Sequence, residues 1–181
     1  MRYLSDAEAS GVRRYLARAY ELARSSDCKE AQYGAVIFKG DTVLGEGFNH
    51  VADILKPKYS CDECPRRRGE LHKGVGLELC ISVHAEEDAV DDLIIRRGHK
   101  IEESRGANII IARLKEGAKK VPKELSPYCT KCSGSIAVRT QLGEVMFETE
   151  SGIVAFGRPE FHEKSIENLY SNWKESQRSI N

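Results

Sequence analysis

No stretch of this chain stays apolar for anything near the ~18 residues that a membrane helix needs. Residues 1–10 hold no apolar core of the signal-peptide kind, so an intracellular, cytoplasmic protein with no membrane partner is expected. Net charge is lacking too, since 28 Lys and Arg face 28 Asp and Glu. A protein that follows a phosphate backbone by charge alone is usually basic, so long nucleic acid is not favoured as a partner. The one tight basic run, Arg66-Arg67-Arg68, reads first as a solvated loop. Internal repeats and low-complexity tracts are absent. What remains is 181 residues, 40% hydrophobic and 31% charged, enough for one soluble domain with its own core and short for two.

The element signals come in a regular order. Ser5 and Glu8 fit a capping box, and the apolar spacing from Val12 to Ala23 predicts a helix over 6–25. Residues 33–38 and 42–48 read as a hairpin around Lys39-Gly40-Asp41. Residues 49–80 show little periodicity yet hold three of the six cysteines, so this Cys-rich insertion reads as functional or stapled. A helix follows over 83–97, then a buried strand over 107–112 with three consecutive Ile. After a polar insertion at 114–125 come a helix over 128–142, short strands at 144–147 and 153–156, and a last helix over 161–174. A hairpin followed by alternating helices and strands implies a mixed sheet covered on both faces. Trp173 is expected to anchor the last helix to the core.

Two short motifs carry the chemistry. His84-Ala85-Glu86 opens one predicted helix, and Cys129-Thr130-Lys131-Cys132 opens the next. Residues three apart in a first helical turn face the same way, so both thiols can meet one ion. The positive end of a helix lowers thiol pKa and favours the thiolates that bind zinc. One His and two Cys leave a fourth position open, as catalytic zinc requires, and such a zinc brings the pKa of a water to about 7. Glu86 then stands beside a ligand as a proton carrier. In a reducing compartment, clustered cysteines point to metal or catalysis before disulfides.

The chain resembles the cytidine and deoxycytidylate deaminase superfamily, and within it looks closest to the deoxycytidylate deaminases. The resemblance rests on Gly34-Ala35-Val36-Ile37, Gly47-Phe48-Asn49, His84-Ala85-Glu86 and Cys129-x-x-Cys132, with Cys64-Pro65-Arg66 and Glu78-Leu79-Cys80 ahead of the histidine. It implies a three-layer α/β/α sandwich with a mixed five-stranded sheet, one catalytic zinc, hydrolytic loss of ammonia and a homo-oligomer. It also implies a substrate-contacting role for Asn49, joined by the main chain near Ala85 and Tyr128. Four features depart from the pattern. Tyr128 separates Pro127 from Cys129, Asp88 stands where the family usually has Asn, His50 stands where Gly is common, and the 114–125 insertion is extra.

Cys61-x-x-Cys64 has the spacing of a structural zinc site. Cys28 lies where some deoxycytidylate deaminases carry a cysteine of a second zinc site. The expectation is therefore a structural zinc on Cys28, Cys61, Cys64 and Cys80, with His72 as reserve ligand; the alternative is four reduced thiols. His99 and His162 read as surface residues, and Glu87, Asp88, Asp91 and Asp92 as an acidic face with salt-bridge partners.

The reading is one zinc-dependent deaminase domain over 1–181, acting on a small cytosine nucleotide, with dCMP as the first choice. Three alternatives stay open: a nucleic-acid or tRNA editing deaminase, a deaminase of another heterocycle such as guanine or a pterin-like ring, and a non-catalytic zinc module.

Overall fold

A computed structural model describes residues 1–65, 80–115, 119–120 and 129–178. The first helix, α1 (Asp6–Ala23), starts at Ser5, whose Oγ accepts the Glu8 N–H at 3.4 Å while the Glu8 carboxylate accepts the Ser5 N–H at 2.8 Å. Its buried face is Tyr15, Leu16, Ala19, Tyr20 and Ala23, the 3.6-residue stripe of an amphipathic helix. That face lies on a sheet whose main strands are β2 (Gln32–Lys39), β3 (Thr42–Phe48), β6 (Asn108–Lys115), β8 (Glu144–Thr149) and β9 (Gly152–Gly157). β2 and β3 form the expected hairpin, with Gly40 at φ +55° in the turn. The Tyr15 hydroxyl donates to the Gly40 carbonyl at 2.6 Å and ties α1 to that turn.

The central strand β6 pairs antiparallel with β2 and parallel with β8, so the sheet is mixed. Its alternation explains the triple Ile. Ile110, Ala112 and Leu114 join the core under α1, and Ile109 and Ile111 join the core on the opposite face. That second face is covered by α2 (Ala85–Asp91, continued by a π-helical segment Asp92–Arg96), α3 (Thr130–Arg139) and α4 (Arg158–Arg178). The result is the three-layer α/β/α arrangement, with a helix layer on each face of the sheet.

The sheet exceeds the expected five strands. β1 (Arg2–Tyr3) adds an edge to β9, giving the order β1-β9-β8-β6-β2-β3, and β7 (Lys119–Lys120) pairs with β6. A separate ribbon joins β4 (His50–Val51) to β5 (Ser82–Val83) and closes the two ends of the Cys-rich insertion on each other. Trp173 is 53% exposed, so the last helix is anchored instead by Phe161 and Ser165, both buried. Among the described residues no helix is long and apolar enough to cross a membrane.

Candidate metal centre

The position of α2 is set by small residues. A Cβ on Gly47 would stand 2.3 Å from the Ala89 nitrogen and 2.5 Å from the Ala85 carbonyl, and one on Gly45 would stand 2.5 Å from the Ala89 carbonyl. Gly45 and Gly47 on β3 thus let α2 lie directly on the sheet, with its first turn above the end of β3. His84 caps this helix in extended conformation, and Cys129 caps α3 the same way.

The two caps meet. His84 Nδ1 lies 3.0 Å from Cys132 Sγ and 3.4 Å from Cys129 Sγ, and the three donor atoms all fall within 4.8 Å of one another. A tetrahedral zinc with Zn–S of about 2.3 Å and Zn–N of about 2.0 Å separates such donors by roughly 3.6 Å. The set fits zinc in chemistry and in spacing. Among the described residues it is the one group of three such side chains that does. Cys129 Sγ accepts the Cys132 N–H at 3.3 Å. The hydrogen bonds from Cys132 and then the His84 ring bring the Cys129 thiol down to about 4, against the effect of burial. Burial pushes the Cys132 thiol well up. Burial opposes the charge on His84, yet Cys129 and Cys80 raise its imidazole to about 11.

Glu86 sits in the first turn of α2 and is 7% exposed. Ala85 is fully buried against Gly47. Asn49 is also buried: its Oδ1 accepts the Tyr33 N–H at 2.6 Å and its Nδ2 donates to the Ala31 carbonyl at 2.9 Å. Tyr128 and His72 lie outside the described residues.

The acidic face resolves into partners. Glu87 meets Lys131 at 3.1 Å and Asp91 meets Arg139, so two ion pairs tie α2 to α3. Asp88 accepts the Phe48 N–H at 3.0 Å and pairs with Arg96 at 2.9 Å. Asp92 accepts the Glu46 N–H at 2.9 Å and pairs with Arg96 and Arg97 at 2.7 Å each. These carboxylates satisfy outward N–H groups of the edge strand β3, which would otherwise invite pairing.

The second cysteine group is looser. Cys61 Sγ lies 3.2 Å from Ser82 Oγ and 3.8 Å from Asp27 Oδ1, with Cys28 and Cys64 near enough to act on its charge. Burial pushes the Cys61 thiol up to about 11. Cys80 turns toward His84 instead, and that hydrogen bond lowers its thiol to about 7. Two contacts were not foreseen from sequence. His162 is half-buried, with Nδ1 2.9 Å from Ser133 Oγ, next in sequence to Cys132. Arg113 occupies a core-facing position of β6, and a lone Arg in the run Ile109 to Leu114 was the available signal.

No family model matches the chain. The fold, however, is the cytidine deaminase-like α/β sandwich. The dCMP deaminase of cyanophage S-TIM5, solved in complex with dCMP and dUMP, superposes with a TM-score of 0.54 at 16% identity, covering 94% of this chain and 95% of that one. In sequence, the chain is similar to the deoxycytidylate deaminase of Mycobacterium phage D29, at 35% identity over 81 residues, 42% of this chain and 61% of that protein. It is 27% identical to the deoxycytidylate deaminase of Schizosaccharomyces pombe over 134 residues, 70% of this chain and 33% of that one. The matches thus span 61% and 33% of the lengths of these two curated relatives.

Proposed function

We propose that this protein is a zinc-dependent hydrolytic deaminase of a cytosine nucleotide, converting dCMP to dUMP with release of ammonia. The observation that carries the reading is the meeting of His84, Cys129 and Cys132 at two helix N-termini, with the buried Glu86 two residues from the histidine. The sequence likeness to two deoxycytidylate deaminases supports the substrate.

His84 Nδ1 and the Cys129 and Cys132 sulfurs would hold the zinc. When bound, the metal supplies a Lewis acid that lowers the pKa of water to about 7 and leaves one position for chemistry. Glu86 takes a proton from the attacking water and delivers it to N3 of the ring as oxygen bonds to C4. It then carries the second proton to the exocyclic amine, which leaves as ammonia. The main chain at Ala85 and at Tyr128-Cys129 orients the ring, and Asn49 contacts the substrate with the lone pair and N–H that its backbone bonds leave over.

For the second cysteine group we propose a structural zinc on Cys28, Cys61 and Cys64, with Cys80 or His72 as the fourth ligand. We also read the protein as a homo-oligomer, on the apolar surface that Val138, Ile166, Leu169 and Tyr170 present; light scattering tests this. The decisive experiment for the activity is ammonia release from a panel of bases, nucleosides, nucleotides and short oligonucleotides. Release from dCMP supports the proposal. Release only from oligonucleotides, from guanine or a pterin, or from nothing, overturns it.

A further inference from the structure

Every polar group of Asn49 is bonded to one segment of chain, residues 26–33, which joins α1 to the start of β2. Its N–H donates to the Tyr33 carbonyl at 3.2 Å, its Oδ1 accepts the Tyr33 N–H at 2.6 Å, and its Nδ2 donates to the Ala31 carbonyl at 2.9 Å. The fourth bond comes from a side chain. The Asn49 carbonyl accepts the Ser26 hydroxyl at 2.6 Å. Ser26 stands just past the end of α1 and is buried. Its Oγ also accepts the Cys28 N–H at 3.2 Å, so the hydroxyl both donates and accepts. Ser26→Ala would leave a buried carbonyl and a buried N–H without these partners, which costs more than the bond itself contributes.

The hydroxyl works from a fixed base. The Ser26 N–H donates to the Ala23 carbonyl at 3.1 Å, and Gln32 Nε2 donates to the Ser26 carbonyl at 2.9 Å. Ala23 is fully buried, and α1 sits so close to β2 that a Cβ on Gly34 would stand 2.0 Å from the Ala19 carbonyl. Beyond Ser26 the segment is pinned to the turn Cys61–Glu63, where Lys29 pairs with Asp62 at 3.7 Å and Asp27 Oδ1 lies 3.8 Å from Cys61 Sγ. Asn49 has no such base of its own. It is the single residue between β3 and β4, and β4 leaves the main sheet to pair with β5. The backbone can pivot at such a junction, and the Ser26 bond stops the pivot at the carbonyl. A binding group held by a locked neighbour is a group held at one angle.

We propose that Ser26 is a positioning residue for substrate binding: its hydroxyl fixes the Asn49 main chain, so that the side-chain lone pair and N–H left over on Asn49 meet the substrate. This rests on the deaminase reading for the contact between Asn49 and the substrate, and on the structure for the bond between Ser26 and Asn49.

The test is a double-mutant cycle on the zinc-loaded protein: wild type, Ser26→Ala, Asn49→Ala and the two together. Calorimetry gives the affinity for dCMP, and ammonia release gives kcat and KM. Ser26→Ala should weaken dCMP binding by about 3- to 10-fold, the order for one lost neutral hydrogen bond. KM should rise alike, with kcat close to the wild-type value, because the lost interaction is one of binding. In the Asn49→Ala background, Ser26→Ala should cost nothing further in affinity, since it acts through Asn49. A serine that only stabilises the fold would cost the same in both backgrounds. That result overturns the proposal, and so does equal dCMP affinity in wild type and Ser26→Ala. If Asn49→Ala does not fold or binds too weakly to measure, a Ser26→Ala variant that loses kcat rather than affinity overturns it. Ammonia release from dCMP with a KM indifferent to Ser26→Ala defeats this proposal and leaves the deaminase reading standing. Binding of dCMP that follows the cycle without any ammonia release does the reverse.

Discussion

His50 Nε2 lies 3.5 Å from Asp88 Oδ1. These are two of the positions at which the chain departs from the pattern it resembles, and they meet in space. Asp88 also receives the Phe48 N–H and the Arg96 guanidinium, so one carboxylate ties the end of β3 to α2 just behind His84.

The two residues should therefore be coupled. Replacing Asp88 by Asn removes the negative charge shared by His50 and Arg96. Arg96 is 49% exposed, so the loss is that of a hydrogen bond to a charged group, about 1.5–3 kcal/mol, and residues in contact couple by about 0.5–3 kcal/mol. Denaturant unfolding of Asp88→Asn, His50→Gly and the double variant should give a combined loss smaller than the sum of the single losses. Strict additivity would mean that the pair is incidental.

Close approach at Gly47 makes a sharper demand. A methyl group there meets backbone atoms of Ala85 and Ala89, neither of which can swing aside. Gly47→Ala should cost about 1–3 kcal/mol or more through overpacking, and should lift the first turn of α2 from the sheet. Zinc content should fall with stability, because His84 caps that turn. A variant that melts as the wild type does would show that α2 has slack the structure does not display.

Much of this was legible in the sequence because it is local. Helical spacing in α1, the capping box at Ser5, the turn at Gly40 and the three consecutive Ile each report on a few neighbouring residues. The grouping of His84 with Cys129 and Cys132 was legible for a related reason: the histidine and the cysteine pair each use the geometry of one helix start. What escaped depends on distant partners. β1 is two residues long and exists only because β9 accepts it, and β4 finds β5 across the whole insertion. Arg113 was visible as a charge in an apolar run, but the Tyr33 ring that its guanidinium lies over is on the neighbouring strand. The turn of Cys80 toward His84 has no sequence signature, because spacing cannot say which of two nearby groups a thiol faces.

Acid should act through Asp92. Burial opposes its charge, but Arg96, the Glu46 N–H and Arg97 together lower its pKa below the ordinary carboxylate value. A folded pKa below the unfolded one gives stability that is complete above the unfolded pKa of about 3.9 and is lost as pH falls through the folded value. Asp92→Asn should be less stable at neutral pH, and its stability should depend less on pH between about 5 and 2. Urea unfolding at several pH values measures both. An unchanged acid limb would place the acid sensitivity elsewhere.

Metal counting separates the two cysteine groups. The intact protein should carry about two zinc ions if both four-ligand sites form. Cys129→Ser or Cys132→Ser should remove one ion and abolish activity. Cys61→Ser or Cys64→Ser should remove the other and act through folding, since structural metal binding supplies folding free energy. One ion in the wild type, unchanged in Cys61→Ser, would make the four other cysteines plain thiols.

Glu86 carries the most specific prediction, because its position argues for two different roles. It is buried, it begins a helix, and helix N-termini favour acidic residues, so a purely structural part is open to it. It also stands two residues from His84, within the reach expected of a proton carrier. Glu86→Gln keeps the size, the burial and most of the helix propensity, and removes the carboxylate that takes up and gives back a proton. If Glu86 moves protons, turnover should fall by about 10² to 10⁴ while zinc content stays at the wild-type value. The melting temperature should shift little, and the Kd for dCMP should stay within a few-fold, because Gln still offers an oxygen and an N–H. If Glu86 is instead a ligand or a structural group, zinc or stability must be lost together with activity. Metal analysis, melting and ammonia release on the same preparation decide between these patterns.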